Sequence, residues 1–297
     1  MRTANSITRL LCAALITVCF VAVMHLQRDR SSNPEASGRA PAAQSMGPGP
    51  AVATSPAARG DGPQPTSSCQ QIAFNVGRSH PAATQIVVVL TPSPTSSTGT
   101  VQVAQLGARG WECRETLAAR VGRNGVRPLL QRRSGDGTTP AGVFLLGLMT
   151  AWDGQQFSVF GNSPDPGVTA GPYRRVRAGD CFGATANHPD YGHLVYRPPA
   201  QCTGPDDEYL PAVGSTYEHA ALIGANMEPD VSGDASGETP YASAIFLHRF
   251  SYDVNGNSKS TSGCVSLSHS NLVSVMVALQ PGVLFAIGST DWLLANS

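Results

Sequence analysis

Ile86-Val87-Val88-Val89-Leu90-Thr91-Pro92-Ser93-Pro94, followed shortly by Val101-Gln102-Val103-Ala104-Gln105-Leu106-Gly107, decides the fold class. The first stretch is a short β-branched run closed by prolines, and the second alternates apolar with polar residues up to a glycine, so together they read as a strand pair. Working outward, Gly142-Val143-Phe144-Leu145-Leu146, Ala220-Ala221-Leu222-Ile223, Ala244 to His248 and Val283-Leu284-Phe285-Ala286-Ile287 are further strands. Gly122-Arg123-Asn124-Gly125 is a turn by its Asn-Gly pair, and Gly135-Asp136-Gly137-Thr138-Thr139-Pro140 is a second turn cluster. Glu115 to Val121 fits helix or strand, and Pro164 to Pro211, rich in Pro, Gly, Asp and Tyr, reads mostly as loop. One clear helix follows: Ser268 or Ser270 can cap it, Leu272, Met276 and Leu279 fall at helical spacing, and Pro281-Gly282 stops it. Many short strands with one or two short helices predict a mainly β domain, an antiparallel sandwich or barrel.

The ends of the chain give it an address. Met1 to Arg9 carry two arginines and no acid, and Leu10 to Leu26 is an almost unbroken apolar run, so residues 1–30 read as a signal peptide or an N-terminal membrane anchor. Gln27-Arg28-Asp29-Arg30 follows directly with no small-x-small cleavage site, which favours the anchor. Residues 31–68 are Pro, Ala, Gly and Ser with scattered charge, a disordered tether. Residues 69–297 then form one globular domain, with apolar runs throughout. The net charge is zero and Lys259 is the sole lysine, so nothing resembles the basic surface that neutralises a phosphate backbone, and nucleic acid is not a partner. Arg in place of Lys, with abundant Ala, Gly and Pro, is associated with high-GC bacteria and favours a bacterial envelope. The expected location is extracytoplasmic, with the membrane reached only through the N-terminal segment.

Export constrains the cysteines. Cys12 and Cys19 lie inside the apolar run without a lipobox. The remaining Cys69, Cys113, Cys181, Cys202 and Cys264 are odd in number, and thiols in an oxidising compartment tend to pair. Cys69 and Cys113 flank a hairpin-like stretch, and Cys181 and Cys202 flank a polar loop, so local pairing of these four is the simplest scheme and leaves Cys264 free. Cys264 follows Gly263 at a turn, where backbone N–H groups can face an incoming carbonyl oxygen, and His248 closes the preceding apolar run as a candidate base.

The order of these two residues is informative, because papain-like peptidases place the cysteine first. Ile245-Phe246-Leu247-His248, a polar stretch from Ser251 to Ser260, and Thr261-Ser262-Gly263-Cys264-Val265-Ser266-Leu267 resemble the active-site signature of the L,D-transpeptidase catalytic domain, the YkuD family, in its actinobacterial branch. Gly135 to Phe144 is similar to the Gly-x-x-x-Thr-Pro-x-Gly-x-Phe segment of that family. The resemblance spans roughly Ile86 to the C-terminus. It implies a β-sandwich, peptidoglycan stem peptides as partners, Cys264 as nucleophile, His248 as base, and Gly263 and Cys264 as backbone donors to the oxyanion. Thr261, Ser262, Ser266 and Arg249 are its substrate-binding candidates. Thr261 stands where the family has serine, while Arg249 replaces the usual Gly or Ser and Ser266 the frequent Arg, so what orients His248 and what grips the donor carboxylate stay open. A backbone carbonyl could do the first and Arg249 the second. The implied reaction is acyl transfer through a Cys264 thioester, with no metal or organic cofactor.

Other features read more plainly. His188 and His193, with Asp190 between them, could ligate a metal, but in this loop composition they read as surface histidines. Arg127, Arg132 and Arg133 read as a solvated loop face. Gly122 to Gly137 lacks the Gly-Lys-Ser/Thr ending of a phosphate loop. Gly137 to Phe144 is as well explained by a turn and strand as by substrate contact, and Tyr217, His219 and Asn226 are weaker groove candidates. Two rival functions are a catalytically silent wall-binding module of the same fold and a thiol peptidase, amidase or L,D-carboxypeptidase acting on wall peptides.

Overall fold

Strand β1 (Gln85–Thr91) is buried on both faces, and everything else is arranged around it. Residues 67–133, 135–227 and 242–297 are described by a computed structural model. The N-terminal segment and nearly all of the tether lie outside the described residues. β1 pairs antiparallel with β2 (Thr98–Gly107), which pairs in turn with β3 (Gly110–Cys113) and β4 (Leu117–Arg120). Next in sequence come β5 (Val126–Pro128) and β6 (Thr139–Leu145), then a small hairpin of β7 (Met149–Thr150) and β8 (Gln156–Phe157), then β9 (Val159–Gly161) and β10 (Tyr173–Arg175). β11 (Asp180–Phe182), β12 (Leu194–Tyr196) and β13 (Glu208–Tyr209) form a separate three-stranded sheet. The last strands are β14 (Ala220–Leu222), β15 (Phe246–Arg249), β16 (Val265–Leu267) and β17 (Leu284–Ser289).

Twelve strands make one sheet, ordered β10-β9-β14-β15-β16-β4-β2-β1-β17-β6-β5 with β3 beside β2. The fold is mainly β, as expected, but the expected antiparallel order is corrected: the sheet is mixed and its strand path does not close. β1 with β17, β5 with β6, β9 with β10, and β15 with β16 all run parallel. Alternation along a strand reports which face is covered, not the direction of its neighbour, so the sequence could not separate the two arrangements.

The solid apolar run of β1 has a physical cause. Val87 and Val89 point into one core with Phe285, Ile287, Leu247, Val265 and Leu267, and Ile86 and Val88 point into another on the opposite face. That second core is closed by helices α1 (Ser68–Ser79) and α3 (Thr290–Asn296), through Ile72, Val76 and Leu293. The first is closed partly by α2 (His269–Ala278), through Leu272, Val275 and Met276. Ser268 caps α2 by accepting the Asn271 N–H at 3.4 Å, as its sequence suggests. Three helices stand where one or two are expected, and α1 begins at Ser68, inside the expected tether. Its Ser67 cap accepts from the Gln70 N–H, and no acidic residue in the first turn marks its start.

Cys69–Cys113 and Cys181–Cys202 are disulfides, the local pairing expected, and Cys264 is the free cysteine among the described residues. The first bond ties α1 to β3, and the second fastens β11. The stretch from Pro164 to Pro211 is mostly loop, as expected, and within it lie the short strands β10 to β13. Buried Arg174 secures this region by an ion pair to Asp180 at 2.8 Å and a bond to each carboxylate oxygen of Asp153 at 2.9 Å. Trp152 Nε1–H donates to the same Asp180 at 2.8 Å. Polar residues that order one another through charge leave no apolar periodicity to read.

Candidate active site

Parallel pairing of β15 with β16 builds the site. Leu247 lies opposite Val265 and His248 opposite Ser266. Strand alternation sends Leu247 and Val265 into the first core, and Phe246 and Cys264 to the other face, into an aromatic cluster with Phe160, Phe182 and Tyr217. Phe246 is the hub of that cluster, with edge-on contacts to Phe160, Phe182 and Tyr217 at centroid distances of 5.1, 5.2 and 5.5 Å.

Cys264 is held from three directions. Its Sγ donates to the Ala244 carbonyl at 3.2 Å and accepts the Phe246 N–H at 3.4 Å. Its own carbonyl accepts from Thr261 Oγ1 at 2.6 Å and from Thr139 Oγ1 at 3.2 Å. Thr139 belongs to the Thr-Pro-x-Gly-x-Phe block, so the two sequence blocks meet on the backbone of Cys264. Gly122 joins them, donating its N–H to Thr139 Oγ1 at 2.8 Å. A Cβ on Gly122 would lie 2.4 Å from the Gly137 carbonyl oxygen, and only glycine fits there. Ala244, whose carbonyl meets Sγ, sits at φ +54°, a left-handed conformation costly for a residue with a Cβ.

His248 is buried at 5% exposure, and its Nδ1 lies 2.6 Å from the Arg249 carbonyl. That contact assigns the proton to Nδ1 and leaves Nε2 as the basic nitrogen. The imidazole packs edge-on against Tyr217, with centroids 5.3 Å apart. Burial pushes the His248 pKa down to about 4 against the opposing pull of the carbonyl. Burial also pushes the Cys264 thiol up to about 12, helped by the Glu208 carboxylate and opposed by the Phe246 N–H, Arg132 and Tyr217. At neutral pH the pair rests as thiol and neutral imidazole, so the thiol proton must leave as the nucleophile attacks.

A cleft of about 340 Å³ opens over the thiol. Arg123, Arg132, Gly135, Gly137 and Ser262 are among its lining residues, and Asp206, Asp207 and Glu208 contribute the acidic groups. Partial burial of Asp207 raises its pKa, but Thr185 Oγ1 and the Ala184 and Thr185 N–H groups donate to it and hold it below the usual carboxylate range. Glu208 has no such set of donors, and burial lifts it to about 7. Such a cleft suits a ligand bearing charges of both signs.

The expected site residues fall into two groups. Cys264, Gly263 and Ser262 line the cleft, and Thr261 braces the turn beneath it. The Gly263 N–H, expected to face an oxyanion, is engaged by Thr261 Oγ1 at 3.2 Å. Arg249 and Ser266 do not line the cleft. Arg249 leaves β15 on the face opposite Phe246, and its Nη1 pairs with Glu218 at 2.8 Å, so it is not positioned to grip a carboxylate beside Cys264. Ser266 is fully buried, with no partner for its Oγ among the described residues. The expected orienting carbonyl for His248 is present.

Arg132 corrects the reading of a solvated basic face. It is 4% exposed, donates from Nε to Thr138 Oγ1 at 3.3 Å and pairs with Asp136 at 3.7 Å. Of the groove candidates, Tyr217 stands beside the thiol, while His219 faces Tyr173 and Asn226 donates to the Ala242 carbonyl. Asp190 pairs with Arg197 at 2.8 Å, and His188 Nδ1 accepts the Asp190 N–H. No group of three or more His, Cys, Asp or Glu side chains among the described residues is arranged to hold a metal ion. Glu208 went unnoticed in the sequence, because Asp206-Asp207-Glu208 looks like any acidic loop until the β11–β13 pairing turns it toward Cys264. Comparison of the chain with protein-family models, with curated proteins and with solved structures finds no match.

Proposed function

We propose that this protein is an exported cell-wall acyltransferase of the L,D-transpeptidase type, with Cys264 as nucleophile and a peptidoglycan stem peptide as donor. The supporting observation is the convergence of the two signature-like blocks on one thiol. The Thr139 and Thr261 hydroxyls hold the Cys264 carbonyl, and the thiol is the free cysteine at a cleft with charged walls. His248, its Nδ1 fixed by the Arg249 carbonyl, is the accompanying imidazole. The sheet belongs in this reading to the sandwich of that family, and the N-terminal segment tethers the domain in the envelope.

In this mechanism the Cys264 sulfur attacks the carbonyl that follows the L-centre of a diamino acid in the donor tetrapeptide. The tetrahedral adduct collapses, D-alanine leaves with a proton, and a thioester remains. An amine from a second stem attacks the thioester and restores the thiol. Water in place of the amine would make the same site a carboxypeptidase. Arg123 and Arg132 suit the anionic part of a stem peptide, and Asp206 and Asp207 the ammonium.

Treating the purified full-length chain with a carbapenem, which acylates active members of the resembled family, tests the reading. The expected result is one adduct, mapped by mass spectrometry to the Cys264 peptide and lost in Cys264→Ser. A folded protein without that adduct would leave a wall-binding module as the better account.

A further inference from the structure

Two groups hold the His248 imidazole, the Arg249 carbonyl at Nδ1 and the Tyr217 ring edge-on, and the side chains beside those groups are themselves joined. Arg249 Nη1 donates to Glu218 Oε2 at 2.8 Å, and Glu218 directly follows Tyr217. The pair sits where a strand ladder stops. The Phe250 N–H donates to the Leu267 carbonyl at 2.7 Å, toward β16, and across a trans peptide the Arg249 carbonyl points the other way, toward β14. Pairing of β14 with β15 ends, however, at Ala220 opposite His248, and the chain before it is the helical turn Gly214–Tyr217. The Arg249 carbonyl thus lies one residue beyond the ladder and meets the imidazole there.

We infer that Glu218 is a positioning residue for His248, acting through the Arg249 carbonyl and the Tyr217 ring, an assignment that rests on the acyl-transfer reading. With the ladder ended, the Glu218–Arg249 ion pair clamps the start of β14 to the end of β15. Its side chains are 24% and 29% exposed, so the pair is shielded from the water that makes fully exposed pairs nearly worthless. Arg249 Nε is buried without a hydrogen-bond partner among the described residues. A guanidinium deprived of Glu218 would turn out to water to satisfy that group, carrying the peptide between residues 249 and 250 with it. His269 Nδ1, at the start of α2, lies 3.1 Å from the same Oε2. One carboxylate therefore gathers the turn that bears Tyr217, the strand that bears His248 and the helix that follows β16. The clamp keeps the carbonyl at Nδ1, so that Nε2 stays the basic nitrogen. It also gives a use to Arg249, which stands where the resembled family has Gly or Ser. Its backbone supplies the orienting carbonyl, and its side chain anchors that carbonyl.

Isotopic labelling of the histidine nitrogens in the full-length chain, read by NMR at neutral pH, reports on the imidazole without any wall substrate. The ring signal missing from His248→Gln identifies His248, and in the wild type it is expected to show a protonated Nδ1 and a bare Nε2. Glu218→Gln, which keeps the shape and removes the charge, and Arg249→Met are expected to mix the two tautomers. Arg249→Lys, which keeps the ion pair, is expected to retain the wild-type signal. Saturable acylation by a carbapenem gives the second reading. Its limiting rate should fall about 10- to 100-fold in Glu218→Gln and Arg249→Met at an unchanged half-saturating concentration, because a displaced base alters the reaction and not the binding. Arg249→Lys should recover most of that rate. Melting curves confirm that each variant is folded, and a loss of stability alone would not change the tautomer of a folded ring. A ring that keeps its wild-type tautomer in Glu218→Gln overturns the positioning role whatever the rate does, and so do mixed tautomers at an unchanged limiting rate. A wild type whose fixed tautomer is lost in Glu218→Gln, yet which takes no carbapenem, keeps the clamp on the imidazole and overturns the acyltransferase reading.

Discussion

Replacing Thr139 by valine asks how much the brace under Cys264 contributes. The change is nearly isosteric and deletes one hydroxyl that is fully buried. That hydroxyl donates to the Cys264 carbonyl at 3.2 Å and accepts the Gly122 N–H at 2.8 Å. Losing the donated bond costs about 1 kcal/mol net, and the Cys264 carbonyl keeps its bond from Thr261. The Gly122 N–H fares worse: it is buried against backbone of residues 137–139, and leaving it without an acceptor costs a further ~1–3 kcal/mol. The total is about 2–4 kcal/mol, which for a domain of this size lowers Tm by roughly 4–16 °C. Thr139→Ser supplies the control, because it keeps the hydroxyl and loses only a buried methyl, about 1 kcal/mol. Urea and thermal unfolding of the three proteins decide the matter. Valine and serine variants of equal stability, or a valine variant within about 0.5 kcal/mol of wild type, would refute the role assigned to the hydroxyl.

Four further outcomes follow from the same structure. Replacing Cys181 and Cys202 together by serine opens a 21-residue loop and should cost about 3 kcal/mol on the chain-entropy account, seen as a lower urea midpoint. Arg174→Met should cost about 3–5 kcal/mol, because Asp180, with no exposure, loses its buried partner; a Tm unchanged from wild type would contradict this. Glu208 binds its proton more tightly folded, about 7 against 4.5, so its contribution to stability falls as pH rises through that range, whereas His248, about 4 folded against 6.5, loses stability as pH falls. The two slopes oppose each other between about 4.5 and 6.5, so wild-type stability should be flatter there than that of Glu208→Gln, which should rise with pH; equal slopes in urea titrations would count against both assignments. Gly122→Ala places a Cβ 2.4 Å from the Gly137 carbonyl oxygen and should cost about 1–3 kcal/mol, measured by urea unfolding, with a neutral effect as the refuting result.

Sequence reading reached furthest where apolar pattern or covalent arithmetic governs structure. The strands around Ile86–Leu90, Val101–Leu106 and Val283–Ile287, the Ser268 cap and the two disulfides were all legible, because each depends on a local pattern or on parity. Strand direction was not, since β1 finds its parallel partner β17 at the far end of the chain. The two other helices escaped notice for local reasons. Helix α1 emerges from a Pro- and Ser-rich stretch, and α3 is short. In the site, Cys264 and His248 were visible through their blocks, and the carbonyl that orients His248 follows from the chain itself. Arg249 and Arg132 were misjudged in opposite directions. A guanidinium next to the histidine in sequence points away from it along the strand, and one that looked solvated is drawn inward by Asp136 and Thr138.

Parallel neighbours require a crossover between them, and residues 250–264 supply it. Within this crossover, Tyr252 bridges antiparallel to Ser258, the Lys259 N–H donates to the Ser251 carbonyl at 2.9 Å, and Gly256 turns the tip at φ +80°. The tip is therefore a hairpin closed at its own base. It can grow or shrink there without altering where the flanking chain enters β16. The stretch from Ser251 to Lys259 thus behaves as an adjustable interval, while His248 before it and Thr261 to Cys264 after it keep fixed places. A descendant of this chain could lengthen that interval and keep its chemistry, whereas one inserted residue between Thr261 and Cys264 would break the turn on which the thiol sits.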